Sequence, residues 1–123
     1  MPYKRIDHVA LDVADLAKSV AFYEHHFGFR KYNDYVTPGG TSIAYLKLGD
    51  TVLELVGEKR LPMQGFHFCL ISDEFDTAVA ALKAADIGVV TEPHKTGARE
   101  PGEENWRRVV FRGPDGEHIE IRG

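Results

Sequence analysis

The chain has 123 residues, 43% of them hydrophobic and 28% charged, which suits one folded domain and not a disordered segment. Fifteen Lys and Arg against nineteen Asp and Glu leave a net charge of -4, without the basic excess that a general nucleic-acid binder needs. No run of 18 apolar residues marks a membrane span, residues 1–5 lack the apolar stretch of a secretory signal, and a lone Cys69 forms no internal disulfide, so a soluble cytoplasmic protein is expected.

In chain order, the first predicted element is a strand over 6–13, where Val9, Leu11 and Val13 alternate with His8, Ala10 and Asp12. Asp15 is placed to cap a helix whose apolar stripe is Leu16, Val20, Phe22, Tyr23 and Phe27, and Gly28 ends it. Three strand-like runs follow at 30–36, 42–48 and 51–56, with turns at Pro38-Gly39-Gly40 and Gly49-Asp50. The second half opens on an apolar strand at 66–71 and a helix bearing Phe75, Val79 and Leu82 that stops near Gly88. Strands are predicted over 89–91, 106–112 and 117–122, the last two joined by the turn Gly113-Pro114-Asp115-Gly116. Residues 94–105 read as a long polar loop, a usual place for a lid or binding segment, with Gly97 and Gly102 letting it move.

These elements repeat. Residues 8–29 lie over 67–88 without a gap, setting His8 on His67, Leu11 on Leu70, Asp15 on Glu74 and Val20 on Val79. The predicted fold class is therefore α+β: a single domain of two tandem βαβββ modules, about 1–58 and 65–123, forming a curved mixed sheet.

Two carboxylates interrupt apolar runs at matching places, Glu54 within 52–56 and Glu120 between Ile119 and Ile121. Glu is depleted in strands, and burying its charge without a partner is costly. Each half thus has one His at the start of its first strand and one Glu in its last. Taken singly, such residues are more often the solvent face of a strand. Their recurrence at equivalent points makes a two-His, two-Glu set suited to a divalent ion, with Zn, Ni, Co, Mn and Fe all compatible. Among the other polar residues, His25, His26 and His118 read as surface groups and Cys69 as a small buried one. Arg99, Arg107 and Arg108 are candidate clamps for an anionic substrate.

The stretch 8–23, with His8, Leu11, Val13, Asp15, Leu16, Ser19, Phe22 and Tyr23, and the ending Gly113-Pro114-Asp115-Gly116-Glu117-His118-Ile119-Glu120 resemble the vicinal oxygen chelate superfamily, with Gly113 where an Asp is usual. That superfamily includes glyoxalase I, methylmalonyl-CoA epimerase, extradiol dioxygenases, fosfomycin-resistance enzymes and bleomycin-binding proteins. The resemblance implies metal ligands at His8, Glu54, His67 and Glu120, as in glyoxalase I. It also implies a homodimer, with sites at the dimer interface that combine one half from each subunit.

The implied activity is that of a metal-dependent lyase or isomerase. It would abstract a proton next to a carbonyl from a small-molecule substrate, with the enediolate bound to the metal. Glu120 is the favoured base and Glu54 the symmetric candidate, with burial expected to raise the pKa toward working pH. The alternatives are a non-catalytic binding or resistance protein, an epimerase and a ring-cleaving dioxygenase. Short bacterial glyoxalase I carries Arg and Asn where this chain has Asp12 and Glu58, so glutathione adducts are expected to be poor substrates.

Overall fold

The computed structural model describes residues 2, 4–58 and 65–123; Met1 and Tyr3 of the opening segment, and 59–64 between the modules, lie outside the described residues. The chain divides into two compact units, Met1–Pro62 and Met63–Gly123.

The first unit runs β1 (His8–Asp12), α1 (Leu16–Phe27), β2 (Arg30–Val36), β3 (Ser42–Leu48) and β4 (Thr51–Val56). Its strands form one sheet in the order β1-β4-β3-β2, with β1 parallel to β4 and the other pairs antiparallel. Alternation sorts the side chains: Leu11, Ala44, Leu46, Leu53 and Leu55 are buried, together with Tyr23 of α1 and Phe29 beyond it. His8, Ala10, Glu54 and Tyr45 therefore share the opposite face, because Ala10 pairs with Glu54 and Tyr45 pairs with Glu54 across the ladders. Asp15 caps α1 by accepting from the Lys18 amide at 3.0 Å, and Gly28 closes the helix in the left-handed conformation at φ 74°.

The second unit repeats the plan with β5 (His67–Ile71), α2 (Phe75–Ala84), β6 (Val89–Lys95), β7 (Arg107–Arg112) and β8 (His118–Arg122), in the sheet order β5-β8-β7-β6. Phe75, Val79, Leu82, Val109, Phe111, Ile119 and Ile121 are buried. Cys69 pairs with Glu120 and Glu120 with Val110, so the carboxylate shares its face with His67, just as Glu54 does with His8. The α+β class and the βαβββ repeat follow the sequence reading, with one four-stranded mixed sheet in each unit.

Several boundaries shift by one residue, and three differ by more. Helix α2 ends at Ala84, not near Gly88, because Asp86 takes a positive φ of 59° and turns the chain first. Strand β6 continues through His94 and Lys95, which pair with Arg108 and Arg107. The sequence put both in the loop because Pro93 and the charges beside it hide the strand signal. Finally, β1 starts at His8, two residues later than predicted.

Candidate metal centre

Each unit brings one imidazole to one carboxylate. His8 Nε2 stands 2.7 Å from Glu54 Oε2, and His67 Nε2 stands 3.7 Å from Glu120 Oε2. Ligands about 2.1 Å from one ion, at roughly a right angle, stand about 3 Å apart, so both pairs have the spacing and the N/O chemistry of a divalent site. Within either unit the donors come as a pair: among the described residues no group of three or more His, Cys, Asp or Glu side chains is poised around one ion position.

The surroundings of the pairs differ. In the first unit Asp7 Oδ2 faces His8 Nδ1 at 2.9 Å, so the imidazole lies between two carboxylates. A carboxylate on Nδ1 fixes the ring and leaves Nε2 as the nitrogen for a metal. His8 and its neighbouring Arg5 together hold Asp7 below the ordinary carboxylate value, the hydrogen bond from His8 being the main cause. Tyr45, opposite Glu54, is pushed above the usual phenol value by burial and then by the Glu54 charge.

In the second unit the carboxylate is the held group. Arg108 Nε donates to Glu120 Oε1, and the Glu120 side chain is only 8% exposed. Burial pushes the Glu120 carboxyl up, but Arg108 outweighs it, with help from Cys69 and His67, and the value lies below the ordinary one. The upward shift expected for a base at Glu120 is therefore reversed, by a guanidinium 12 positions away that sequence spacing does not reveal. The Cys69 thiol is pushed up to about 11, first by burial of the sulfur and then by Glu120. As a residue Cys69 is exposed, contrary to the buried role expected for it. His118 and His25 are exposed as expected. His26 is half-buried, and burial together with His25 lowers its pKa.

The predicted arginine clamps are all engaged by carboxylates of the chain. Arg99 forks onto Glu103 with Nε at 3.1 Å and Nη2 at 2.8 Å, Arg107 meets Asp76 at 2.8 Å, and Arg108 holds Glu120. Glu103 is the residue that sequence reasoning missed. It looks like one more charge in a polar loop, yet its side chain is 3% exposed and also faces Arg122 Nη2 at 3.4 Å. The Arg99 hydrogen bonds, from its side chain and its backbone, hold Glu103 at about 2. Residues 94–105 are thus tied to β8 through Arg122, which also donates to the Gly97 carbonyl at 3.2 Å, rather than free as the glycines suggested.

Gly113 has a similar local reason. A Cβ there would stand 2.3 Å from Cδ of the buried Glu117, whose carboxylate turns back to accept from the Asp115 amide at 2.8 Å. A side chain at 113 and this folded-back Glu117 exclude each other.

The glyoxalase/bleomycin resistance protein/dioxygenase superfamily sequence pattern matches residues 5–121. The chain belongs to this superfamily. It is 33% identical over 107 residues to human mitochondrial methylmalonyl-CoA epimerase, a match that covers 76% of this chain and 61% of that protein. The chain therefore spans about three-fifths of the length of that relative. It is 28% identical to the metallothiol transferase FosB of Lysinibacillus sphaericus, over 98% of this chain and 83% of that one. Among solved structures, FosX of Listeria monocytogenes, a fosfomycin resistance protein crystallised with Mn(II) and sulfate, shares the fold with a TM-score of 0.73 and 16% identity, over 98% of this chain and 93% of that one. No helix among the described residues is long and apolar enough to cross a membrane.

Proposed function

We propose that the chain is a metal-dependent lyase or isomerase that moves a proton on a carbon next to a carbonyl, with His8, Glu54, His67 and Glu120 ligating one divalent ion. The observation that carries this reading is the recurrence of an imidazole nitrogen facing a carboxylate oxygen on the same face of both sheets. A bound divalent ion supplies a Lewis acid that polarises two neighbouring substrate oxygens. The chain's own residues do the rest. Asp7 orients His8, and Arg108 fixes Glu120 by one oxygen while leaving Oε2 toward His67. Glu54, beside an open cavity and with no guanidinium on it among the described residues, takes the proton in this reading, in place of the Glu120 favoured by resemblance. Completion of the ligand set in a homodimer remains part of the proposal.

Epimerisation is the form of this chemistry that identity favours, since the 33% match is to a methylmalonyl-CoA epimerase. The glutathione hemithioacetal is disfavoured. Asp12 and Glu58 stand where the resembled enzyme has Arg and Asn, and Arg99, Arg107 and Arg108 are all engaged elsewhere. The test is deuterium incorporation from D2O at the α-carbon, followed by NMR with protein reconstituted separately with Mn, Co, Ni and Zn. Methylmalonyl-CoA should exchange and the hemithioacetal of methylglyoxal and glutathione should barely react. Absence of exchange with every metal and both substrates would remove the proton-transfer reading, and fast turnover of the hemithioacetal would make the chain a glyoxalase I.

A further inference from the structure

A cavity of about 480 Å3 opens on the first unit's sheet face next to Glu54, within the usual size range of small-molecule sites. Its charged lining consists of Arg5, Asp7, Lys47, Asp50 and Glu54, and its aromatic lining of Tyr32 and Tyr45. Most of these charges are engaged. Asp7 faces His8 at 2.9 Å and Arg5 at 3.8 Å, and Glu54 faces His8 at 2.7 Å. Asp50, in the turn before β4, also lines the cavity. Lys47 is the lining cation that meets no carboxylate among the described residues. Its ammonium instead stands 4.5 Å from the centre of the Tyr32 ring, a contact that leaves its N–H donors open.

Lys47 pairs with Val52 and Tyr45 with Glu54, so the backbone position of Lys47 lies one two-residue step, about 7 Å along the strand, from the one opposite Glu54, on the same face. A register shift between Lys31 and Asn33 leaves Tyr32 as the extra residue of β2 and brings its ring to 6.2 Å from that of Tyr45.

We propose that this cavity recognises a small, flat organic acid, with Lys47 receiving its anionic group and the Tyr32 and Tyr45 rings lining its body. The assignment rests on the cavity's own lining and touches the metal-centred reading only in lying beside Glu54; it concerns binding and does not make the acid the reacting substrate. The acid's anion meets a cation that, among the described residues, otherwise has only a ring face.

The test is calorimetric titration of the full chain, metal-free and Mn-loaded, with phenylpyruvate, pyruvate and inorganic phosphate. Phenylpyruvate should bind most tightly, with amide NMR shifts concentrated at Tyr32, Tyr45 and Lys47. The Lys47→Met variant should weaken it about tenfold or more, while Lys47→Arg stays within a few-fold of the wild type. Failure of all three probes to bind, or equal affinity in Lys47→Met, would overturn the proposal. Phosphate binding as tightly as phenylpyruvate would overturn the flat organic body. Lys47-dependent binding by a protein that takes up no metal would uphold this site and sink the metal reading; metal uptake with binding indifferent to Lys47 would do the reverse.

Discussion

The two units carry the same His–Glu pair on the same scaffold but stabilise opposite members of it. In the first, Asp7 holds the histidine and Glu54 faces an open cavity. In the second, Arg108 holds the carboxylate, Glu120 is buried, and His67 is the more exposed histidine, 58% against 41% for His8. A repeated fold thus fixes where the donors stand, while single neighbours decide what each donor is free to do. The lesson is that a symmetric ligand set need not be a symmetric catalyst.

The largest expected effect checks that both units depend on their own apolar faces. Phe111, fully buried and paired with Ile119, matches Leu46, fully buried and paired with Leu53. Phe111→Ala should cost about 3–5 kcal/mol and Leu46→Ala about 2–5 kcal/mol in denaturant unfolding. A cost below about 1 kcal/mol at either would break the parallel between the cores.

The next separates the two carboxylates. At saturating metal and with a substrate that turns over, Glu54→Gln should lower kcat about a hundredfold or more, while Glu120→Gln should show itself mainly as weaker metal retention. The opposite pattern would return the base to Glu120 and leave Arg108 as a purely structural partner.

A smaller effect follows from pH. Glu103 has a folded value of about 2, below its unfolded one, so its ion pairs stabilise the fold above the unfolded value. That contribution is lost as pH falls from about 4.5 toward 2. The urea midpoint of the wild type should therefore drop more steeply over this range than that of Glu103→Gln. Parallel curves would show that Arg99 and Arg122 do not anchor the 94–105 segment through this carboxylate.

The smallest compares the helix starts. Asp15 caps α1 through its side chain, whereas Glu74, its counterpart before α2, makes no side-chain cap bond. Asp15→Ala should cost about 1 kcal/mol and Glu74→Ala close to nothing. Equal losses would mean that the caps differ less than their geometry indicates.

Much of this was legible in the sequence because it rests on periodicity. The gapless repeat set His8 on His67, and matching interruptions of two apolar strands picked out Glu54 and Glu120. What was not legible depends on contacts that cross the chain. Arg108 reaches Glu120 across a ladder register that the sequence does not print. Glu103 looked solvated because nothing in the sequence shows that the loop folds Arg99 back onto it and brings Arg122, 19 positions away, beside it. Lys47 was passed over because nothing local marks a lysine that meets no carboxylate among the described residues.

The central claim is that His8, Glu54, His67 and Glu120 hold one divalent ion per chain. It is tested most directly by elemental analysis of protein purified without chelator, loaded separately with Zn, Ni, Co, Mn and Fe, and dialysed. The wild type should retain close to one ion per chain, and the His8→Ala and His67→Ala variants should each lose it while keeping a wild-type circular dichroism spectrum. No retention by the wild type, or full retention by the double His8→Ala, His67→Ala variant, would contradict the account.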